Sequence, residues 1–154
     1  MAIDLAKDLA AFRSALSAAG LSATRQRLKL AEIVFAHHQH FTADDLIAWA
    51  RKADKKIGRV TVYRTLKVMV DAGLVEERPF RRDRTVYEHV IGHRHHDHMV
   101  CLGCQEVLEF ANPRIEAEQE RSARAHQFRI VNHHHTLFGY CLKCDRGGKA
   151  LSGA

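Results

Sequence analysis

Residues 60–78 read VTVYRTLKVMVDAGLVEER, and the hydrophobic period of this stretch changes at Gly73. Before the glycine, apolar side chains recur at helical spacing, which predicts a helix over roughly 60–72. Its predicted buried stripe is Val62, Leu66, Met69 and Val70. After the glycine the helical spacing stops, and residues 74–78 (LVEER) are predicted to form a short strand. The stretch therefore predicts a helix that leads directly into a strand.

The segments on either side extend this pattern into a recognisable fold. Three more helices are predicted upstream: over residues 4–19 with Gly20 as the stop, from a cap at Ser22 or Thr24 to about His37, and from the N-cap Thr42 onward. Downstream, a polar turn at 81–84 and a returning strand at 85–90 complete a β-hairpin. Three or four short helices followed by a β-hairpin indicate a winged helix, a variant of the helix-turn-helix fold.

The helix at 60–72 carries side chains on its exposed face that are suited to nucleic acid. They are Arg59, Thr61, Tyr63, Arg64 and Lys67. Arginine and lysine contact phosphates and reach guanine, while tyrosine and threonine can touch bases. Residues 1–92 hold 16 Lys and Arg against 11 Asp and Glu, whereas residues 93–154 hold 8 against 7. The basic surplus lies in the front half, which favours a DNA-binding module over an ordinary solvated helix face.

A second informative stretch, residues 93–104, reads HRHHDHMVCLGC. Imidazole and carboxylate suit divalent metals, and paired thiolates suit zinc. Because side chains alternate along an extended segment, His96 and His98 are expected on one face and His95 and Asp97 on the other. One strand can therefore serve two metal sites and, through its cysteines, a third.

All four cysteines fall into two Cys-x-x-Cys pairs, separated by residues 105–140. The pairs are Cys101/Cys104 and Cys141/Cys144. In an intracellular chain such pairs are metal ligands more often than disulfides, and a thioredoxin-like role would need one pair beside a βαβ unit. Four thiolates form a closed tetrahedral zinc site with no position for a substrate. The pairs therefore predict a structural zinc site.

The remainder of the back half predicts a small mixed α/β unit. Strands are expected at 99–101, 107–110, 128–131 and 136–141, and a helix is expected from the cap Asn112 and Pro113 to about His126. The predicted fold class is therefore α+β. A winged-helix DNA-binding domain is expected over residues 1–90 and a small metal-binding α/β domain over 91–154.

Together these residues resemble the ferric uptake regulator (Fur) family. The resemblance rests on His95-His96-Asp97-His98 running into Cys101-x-x-Cys104, after a helix that contains Thr61-Val62-Tyr63-Arg64. It covers nearly the whole chain, from about Leu21 to Cys144. Membership of that family implies a homodimeric, metal-responsive transcriptional regulator, with an N-terminal winged helix and a C-terminal α/β dimerisation domain.

The resemblance also implies the roles of individual residues. Those matching the structural zinc site are Cys101, Cys104, Cys141 and Cys144. Those matching a regulatory metal site at the domain junction are His40, Glu88, His96, His98 and Glu109. Those matching an additional metal site in the dimerisation domain are His95, Asp97, Glu116 and His133. Those at positions associated with DNA contact are Arg27, Tyr63 and Arg64.

The sequence departs from the family pattern just before the histidine tract. The segment from Glu88 to His95 is one residue longer than the commonest spacing. Arg94 adds a positive charge that should weaken the binding of a metal cation close by. Glu88 and His89 face opposite ways on a strand, so one of them is expected to ligate, with Glu88 preferred. His40 is alternatively an ordinary surface histidine of the run at 37–40.

The expected function is a repressor that binds double-stranded operator DNA as a homodimer when it is loaded with Fe²⁺, with Mn²⁺ or Zn²⁺ as other candidate metals. A zinc sensor and a peroxide sensor of the same family are the alternatives; in the peroxide-sensing branch the position of Glu109 is typically Asp. A zinc hydrolase would leave the basic winged helix without a purpose, and a metal buffer would not be retained on operator DNA. No apolar run approaches a membrane span and no secretory leader is evident, so a cytoplasmic location is predicted.

Overall fold

The computed structural model describes residues 5–37, 39–80, 84–91 and 95–145. Most of the predicted turn at 81–84, the inserted Arg94 and the Gly/Ser-rich tail at 147–154 lie outside the described residues. The chain divides into two compact units, Met1–His93 and Arg94–Ala154. No helix among the described residues is long and apolar enough to cross a membrane.

The described part of the first unit is a winged helix. Its elements are α1 Leu5–Ala18, α2 Arg25–Ala36, β1 Phe41–Thr42, α3 Ala43–Ala53, α4 Arg59–Asp71, β2 Val75–Arg78 and β3 Val86–His89. The three strands form one antiparallel sheet in the order β1-β3-β2. The β2–β3 hairpin follows α4 directly, so the predicted sequence of helix, strand and returning strand is confirmed.

Local residues explain where the helices begin and end. Gly73 has φ +65°, a left-handed conformation that glycine adopts without strain. The N–H of Leu74 then donates to the Met69 carbonyl at 2.9 Å, which closes the end of α4. At the start of α3, Thr42 and Asp45 form a capping box. Thr24, not Ser22, caps α2.

The helices of the first unit enclose a continuous apolar core. Its largest fully buried side chains include Phe12, Phe35, Phe41, Leu46, Leu66 and Met69. Of the predicted stripe on α4, Val62, Leu66 and Met69 are buried and Val70 is half-buried against the core. This unit therefore has the packed interior that a basic surface helix needs as its support.

The second unit is a three-stranded sheet with one helix. Its described elements are β4 Asp97–Cys101, β5 Val107–Phe110, α5 Pro113–Ala125 and β6 Thr136–Gly139. The strand order is β5-β4-β6, with β4 antiparallel to β5 and parallel to β6. β4, which carries the metal-ligand tract, is therefore the central strand.

Two strand predictions in this unit need correction. The expected strand at 128–131 is wrong: among the described residues this segment forms no strand, and Phe128 and Val131 are 67% and 79% exposed. Alternation predicts a strand only where a neighbouring strand satisfies the backbone groups, and here none does. The strand predicted at 136–141 ends at Gly139, because the second cysteine turn begins there. The two-residue β1 was not predicted at all.

An apolar row crosses the second sheet. Met99 lies opposite Leu108 on β5 and opposite Leu137 on β6. The three side chains are 40%, 50% and 44% exposed. Contiguous exposed apolar side chains of this kind are typical of surfaces that bind another protein.

Candidate functional site

The four cysteines meet at one end of the second sheet. The sulfur atoms that lie within 4.8 Å of one another belong to Cys101, Cys104, Cys141 and Cys144. β4 and β6 run parallel with Cys101 opposite Gly139, so each strand delivers a Cys-x-x-Cys turn to the same end of the sheet. The long spacing between the two pairs is taken up by β5, α5 and β6.

Hydrogen bonding and crowding move the thiol pKa values in opposite directions. The backbone N–H of Cys141 donates to Cys101 Sγ at 3.2 Å and lowers the pKa of the Cys101 thiol to about 6. Contact with Cys141, in contrast, raises the pKa of the Cys144 thiol to about 12. Sulfur atoms this close become thiolates together only beside a cation. Four convergent thiolates are the donor set of structural zinc, so these residues fit Zn²⁺.

Gly103 lies in the first cysteine turn, where a side chain has no room. A Cβ at this position would lie 2.7 Å from Cys144 Cβ and 2.8 Å from its Sγ. Gly103→Ala is therefore expected to push Cys144 aside and weaken zinc retention roughly 10–100-fold, the range for disturbed ligand supports. Competition with a chromogenic chelator measures this. Gly139→Ala is the matched control, because a Cβ there meets nothing within 4 Å; equal zinc retention by the two variants would contradict the prediction.

A second cluster lies on one face of β4. Its members are His95, Asp97, Glu116 and His133, each with a ligand atom within 4.8 Å of the others. His95 Nε2 is 3.3 Å from Asp97 and 3.4 Å from Glu116, and His133 Nε2 is 3.2 Å from Glu116. Asp97 is 1% exposed, and both of its carboxylate oxygens are buried without a hydrogen bond. Because a buried carboxylate is costly without a compensating charge, this cluster fits a divalent cation.

Three further predicted ligands lie on the opposite face of the second sheet, on β4, on β5 and just before β4. His98 is 2% exposed and lies opposite Glu109 in the β4–β5 register. His96 Nε2 is 3.8 Å from Glu109 Oε2, and the His96 and His98 ring centroids are 5.0 Å apart. The strand thus separates His96 and His98 from His95 and Asp97, as side-chain alternation requires.

The two remaining predicted ligands lie together in the first unit. His40 Nε2 is 3.7 Å from Glu88 Oε1, and Glu88 is 6% exposed. The unpredicted strand β1 explains this proximity, because Phe41 pairs with Tyr87 and so carries His40 alongside β3. A histidine and a carboxylate this close can contribute one nitrogen and one oxygen ligand to a divalent cation.

The structure distinguishes Glu88 from its neighbour His89. His89 is 3% exposed, and its ring centroid is 4.8 Å from that of Phe35 in the helical core. Its Nε2 is 3.7 Å from Asp8 Oδ2, on α1. Glu88 is therefore the member of the pair that shares a face with His40.

Five of the six predicted DNA-contacting side chains lie on α4, and Arg27 lies on α2. Arg59, Tyr63, Arg64 and Lys67 are exposed, and Thr61 and Arg27 are half-buried. Arg59 pairs with Asp44 at 2.9 Å and Lys67 with Asp71 at 3.0 Å. Exposed pairs of this kind contribute little, so both cations can turn to phosphates at small cost.

Two polar residues that contact predicted ligands, Arg78 and His135, were missed in the sequence. Arg78 Nε donates to Glu88 Oε2 at 2.5 Å and Arg78 Nη2 lies 2.9 Å from Glu76. His135 Nδ1 is 3.6 Å from Asp97 Oδ2. The sequence did contain a signal for Arg78. The predicted hairpin carries Glu76 on one strand and Glu88 on the other, and Arg78 lies two residues after Glu76, on the same face of its strand.

Comparisons of the sequence give a consistent result. The model of the ferric uptake regulator family matches residues 18–138. The chain is 39% identical over 133 residues to the ferric uptake regulation protein of Escherichia coli strain K12, covering 86% of this chain and 89% of the relative. It is 42% identical over 124 residues to the protein of the same name from Rhizobium leguminosarum bv. viciae, covering 80% and 87%.

Solved structures show the same likeness. The Vibrio cholerae ferric uptake regulator, reported with a rearrangement of its DNA-binding domains, has a TM-score of 0.69 at 39% identity, covering 84% of this chain and 98% of that one. The Helicobacter pylori regulator Fur, reported with three functional metal binding sites, has a TM-score of 0.81 at 25% identity, covering 95% and 96%. The Campylobacter jejuni peroxide stress regulator has a TM-score of 0.67 at 25% identity, covering 85% and 97%.

Proposed function

Because the chain belongs to the ferric uptake regulator family, we propose that it is a metal-dependent transcriptional repressor that binds double-stranded operator DNA as a homodimer. The observation that carries this proposal is the arrangement of β4, which presents one ligand cluster on each face and a cysteine turn at its end. We propose a binding role, not a catalytic one, for these clusters, as expected of a transcriptional regulator. Residues 1–90 would read DNA and residues 91–154 would hold the dimer and the metals, in the cytoplasm.

The cysteine cluster is the structural site in this proposal. Cys101, Cys104, Cys141 and Cys144 would hold Zn²⁺ with all four thiolates, leaving no open position. The cluster of His95, Asp97, Glu116 and His133 would be an additional site for a divalent cation. The Asp97 oxygens, which are buried without a hydrogen bond, support this assignment. A bound cation would supply the positive charge that these buried acidic groups require.

The regulatory site would combine ligands from both units. His40 and Glu88 come from the first unit, and His96, His98 and Glu109 from the second. A shared divalent cation would restrict the angle between the units to one that suits the operator, and would shift the population toward that conformer. Nitrogen and oxygen donors without sulfur suit Fe²⁺ and Mn²⁺ and keep binding reversible, as a sensor needs. Fe²⁺ is the proposed metal.

The surfaces required for DNA binding and dimerisation are also present. The basic face of α4 provides cations for phosphates and donors for base edges. The exposed row of Met99, Leu108 and Leu137 supplies an apolar surface for a second copy of the chain. A dimer would place two copies of α4 in major grooves about one helical turn apart, or a multiple of that distance.

A peroxide sensor or a zinc sensor remains the alternative within the family. The likeness to a peroxide stress regulator supports the first at the level of the fold. Glu109, where an aspartate is expected in that branch, favours iron sensing. An oxygen atom added to a ligand histidine after Fe²⁺ loading and peroxide treatment, detected by mass spectrometry, would instead favour the peroxide sensor.

The direct test measures operator affinity with and without metal at fixed salt. DNA duplexes are first selected from a random pool by the Mn²⁺-loaded protein, and affinity is then followed by fluorescence anisotropy with Fe²⁺ (without air), Mn²⁺, Zn²⁺ or no added metal. Binding is expected to tighten about 5–150-fold with the regulatory metal, the usual range of allosteric coupling. Equal affinity under all conditions would refute a metal-dependent repressor.

Arg64→Ala tests the assignment of α4 as the DNA-reading helix. Arg64 is exposed on that helix. Loss of one base- or phosphate-contacting arginine is expected to weaken operator binding by about 1–3 kcal/mol, with metal present. Arg121→Ala is the control, because Arg121 is an exposed arginine of α5 that pairs with Glu118. Equal binding by both variants would place the DNA-binding surface elsewhere.

A further inference from the structure

The wing sheet holds a half-buried and a buried carboxylate directly opposite each other. Glu76 on β2 and Glu88 on β3 are direct partners in the antiparallel register. Their side chains are 29% and 8% exposed. Like charges directly opposite on neighbouring strands repel each other, and burial strengthens the repulsion. This pair therefore needs a positive charge between its members.

Arg78 supplies that charge from the same face of β2. Its Nε donates to Glu88 Oε2 at 2.5 Å, and its Nη2 lies 2.9 Å from Glu76 Oε2. The Arg78 side chain is 12% exposed. A guanidinium does not lose its proton in proteins and offers donors in a rigid planar fork. Arg78 is thus a permanent cation bound to a carboxylate that the proposed regulatory site uses.

The other oxygen of the same carboxylate faces the second proposed ligand. Glu88 Oε1 is 3.7 Å from His40 Nε2, while Oε2 is held by Arg78. A divalent cation bound by Glu88 and His40 would therefore share one carboxylate with a guanidinium. Two positive charges bound to the two oxygens of one carboxylate repel each other strongly in a site shielded from water. The metal therefore weakens the contact of Arg78 with Glu88, and Arg78 weakens the binding of the metal.

We propose that Arg78 sets the sensitivity of the regulator, by competing with the regulatory metal for the Glu88 carboxylate. This inference rests on the proposed function, in which Glu88 is a metal ligand. Its consequence is a switch that responds only at a higher metal concentration than the ligands alone would require. Coupling is reciprocal, so a cation on Glu88 must equally loosen the contact of Arg78 with β3.

The test is Mn²⁺ binding to the full-length, zinc-containing protein, followed through the electron paramagnetic resonance signal of free Mn²⁺. Arg78→Met removes the charge and is expected to tighten Mn²⁺ binding roughly tenfold. Arg78→Gln also removes the charge but keeps a hydrogen-bond donor for Glu88, so it should tighten binding too and remains informative if the methionine variant fails to fold. Arg78→Lys keeps the positive charge but loses the planar fork, so it is expected to tighten Mn²⁺ binding less than either neutral variant.

The set of variants distinguishes competition from simple positioning. If Arg78 serves only to orient Glu88, Arg78→Met would weaken Mn²⁺ binding and Arg78→Gln would match the native protein, which would overturn the proposal. Unchanged affinity in both variants would overturn it as well. Each titration is repeated with Asp97→Asn, so that ions bound by the Asp97 cluster are subtracted.

His98→Ala separates failure of this inference from failure of the proposed function. If His98→Ala loses a Mn²⁺ site while the Arg78 variants do not tighten binding, the regulatory site stands and only the role of Arg78 is wrong. If His98→Ala binds Mn²⁺ like the native chain, the regulatory site itself is misassigned and the role of Arg78 fails with it.

Discussion

Cys141→Ser is expected to abolish zinc retention and unfold the second unit. Among the described residues of that unit, 95–145, the buried apolar side chains are Val100 and Cys101 alone, and α5 buries none of its residues. A sheet with so little core depends on its metal, and structural zinc contributes on the order of 10–16 kcal/mol in small zinc domains. A serine hydroxyl does not replace a thiolate as a zinc ligand.

Zinc content by atomic absorption and amide hydrogen exchange measure the two effects. Zinc should fall from about one ion per chain to near zero, and the protection of β4 and β6 should be lost. The first unit should still melt cooperatively, because its core of aromatic and aliphatic side chains is its own. A strong chelator should reproduce the effect of the substitution in the native chain.

Leu142→Ser is the matched control for this experiment. Leu142 lies in the same turn as Cys141 and Cys144 but is 85% exposed. It should leave zinc content and amide protection unchanged, since its side chain contributes almost no buried surface. A zinc-free Cys141→Ser protein that kept full protection in β4 and β6 would show that the sheet does not depend on the cysteine site.

The helices and the hairpin of the first unit could be predicted from the sequence because the signals for them are local. The left-handed glycine at the end of α4 and the capping box at Thr42 act within a few residues of chain. The change of hydrophobic period at Gly73 marks the passage from helix to wing. Such features fix an element without reference to the rest of the fold.

Features that depend on pairing between distant segments were not readable in the same way. The segment 128–131 alternates like a strand, yet no strand pairs with it among the described residues. β1 is two residues long and exists because it pairs with β3, more than forty residues later. Alternation of apolar and polar residues predicts which face of a strand each side chain would occupy. Whether the strand forms depends on a neighbouring strand with which it can pair.

The same distinction applies to the candidate sites. Alternation along β4 was sufficient to divide the histidine tract into two clusters, since the argument concerns one strand. The contact of Arg78 with Glu88 depends on the register of β2 against β3, and the position of His89 depends on how α1 and α2 cover β3. Ligand types were therefore predictable from the sequence, whereas the contacts of neighbouring residues with those ligands required the register and packing that the structure shows.

His98→Ala is expected to remove the metal dependence of operator binding. His98 is buried on the face of β4 that also holds His96, opposite Glu109. Without its imidazole the proposed regulatory cation loses a central donor, so the operator-compatible conformer is no longer favoured. The ratio of operator affinities with and without Mn²⁺ should fall from about 5–150 to about one. Zinc content should not change, because the cysteines lie at the end of the strand.

Two controls make this result specific to one face of one strand. His126→Ala removes an exposed histidine that belongs to none of the three clusters, and it should keep the full Mn²⁺ response. Asp97→Asn alters the adjacent residue, whose side chain faces the other cluster. Asp97→Asn should lose the Mn²⁺ that binds to the Asp97 cluster, while operator binding should still tighten when Mn²⁺ is added. If Asp97→Asn abolishes the response and His98→Ala does not, the regulatory ion lies on the opposite face of β4, because neighbouring residues on a strand cannot serve the same side.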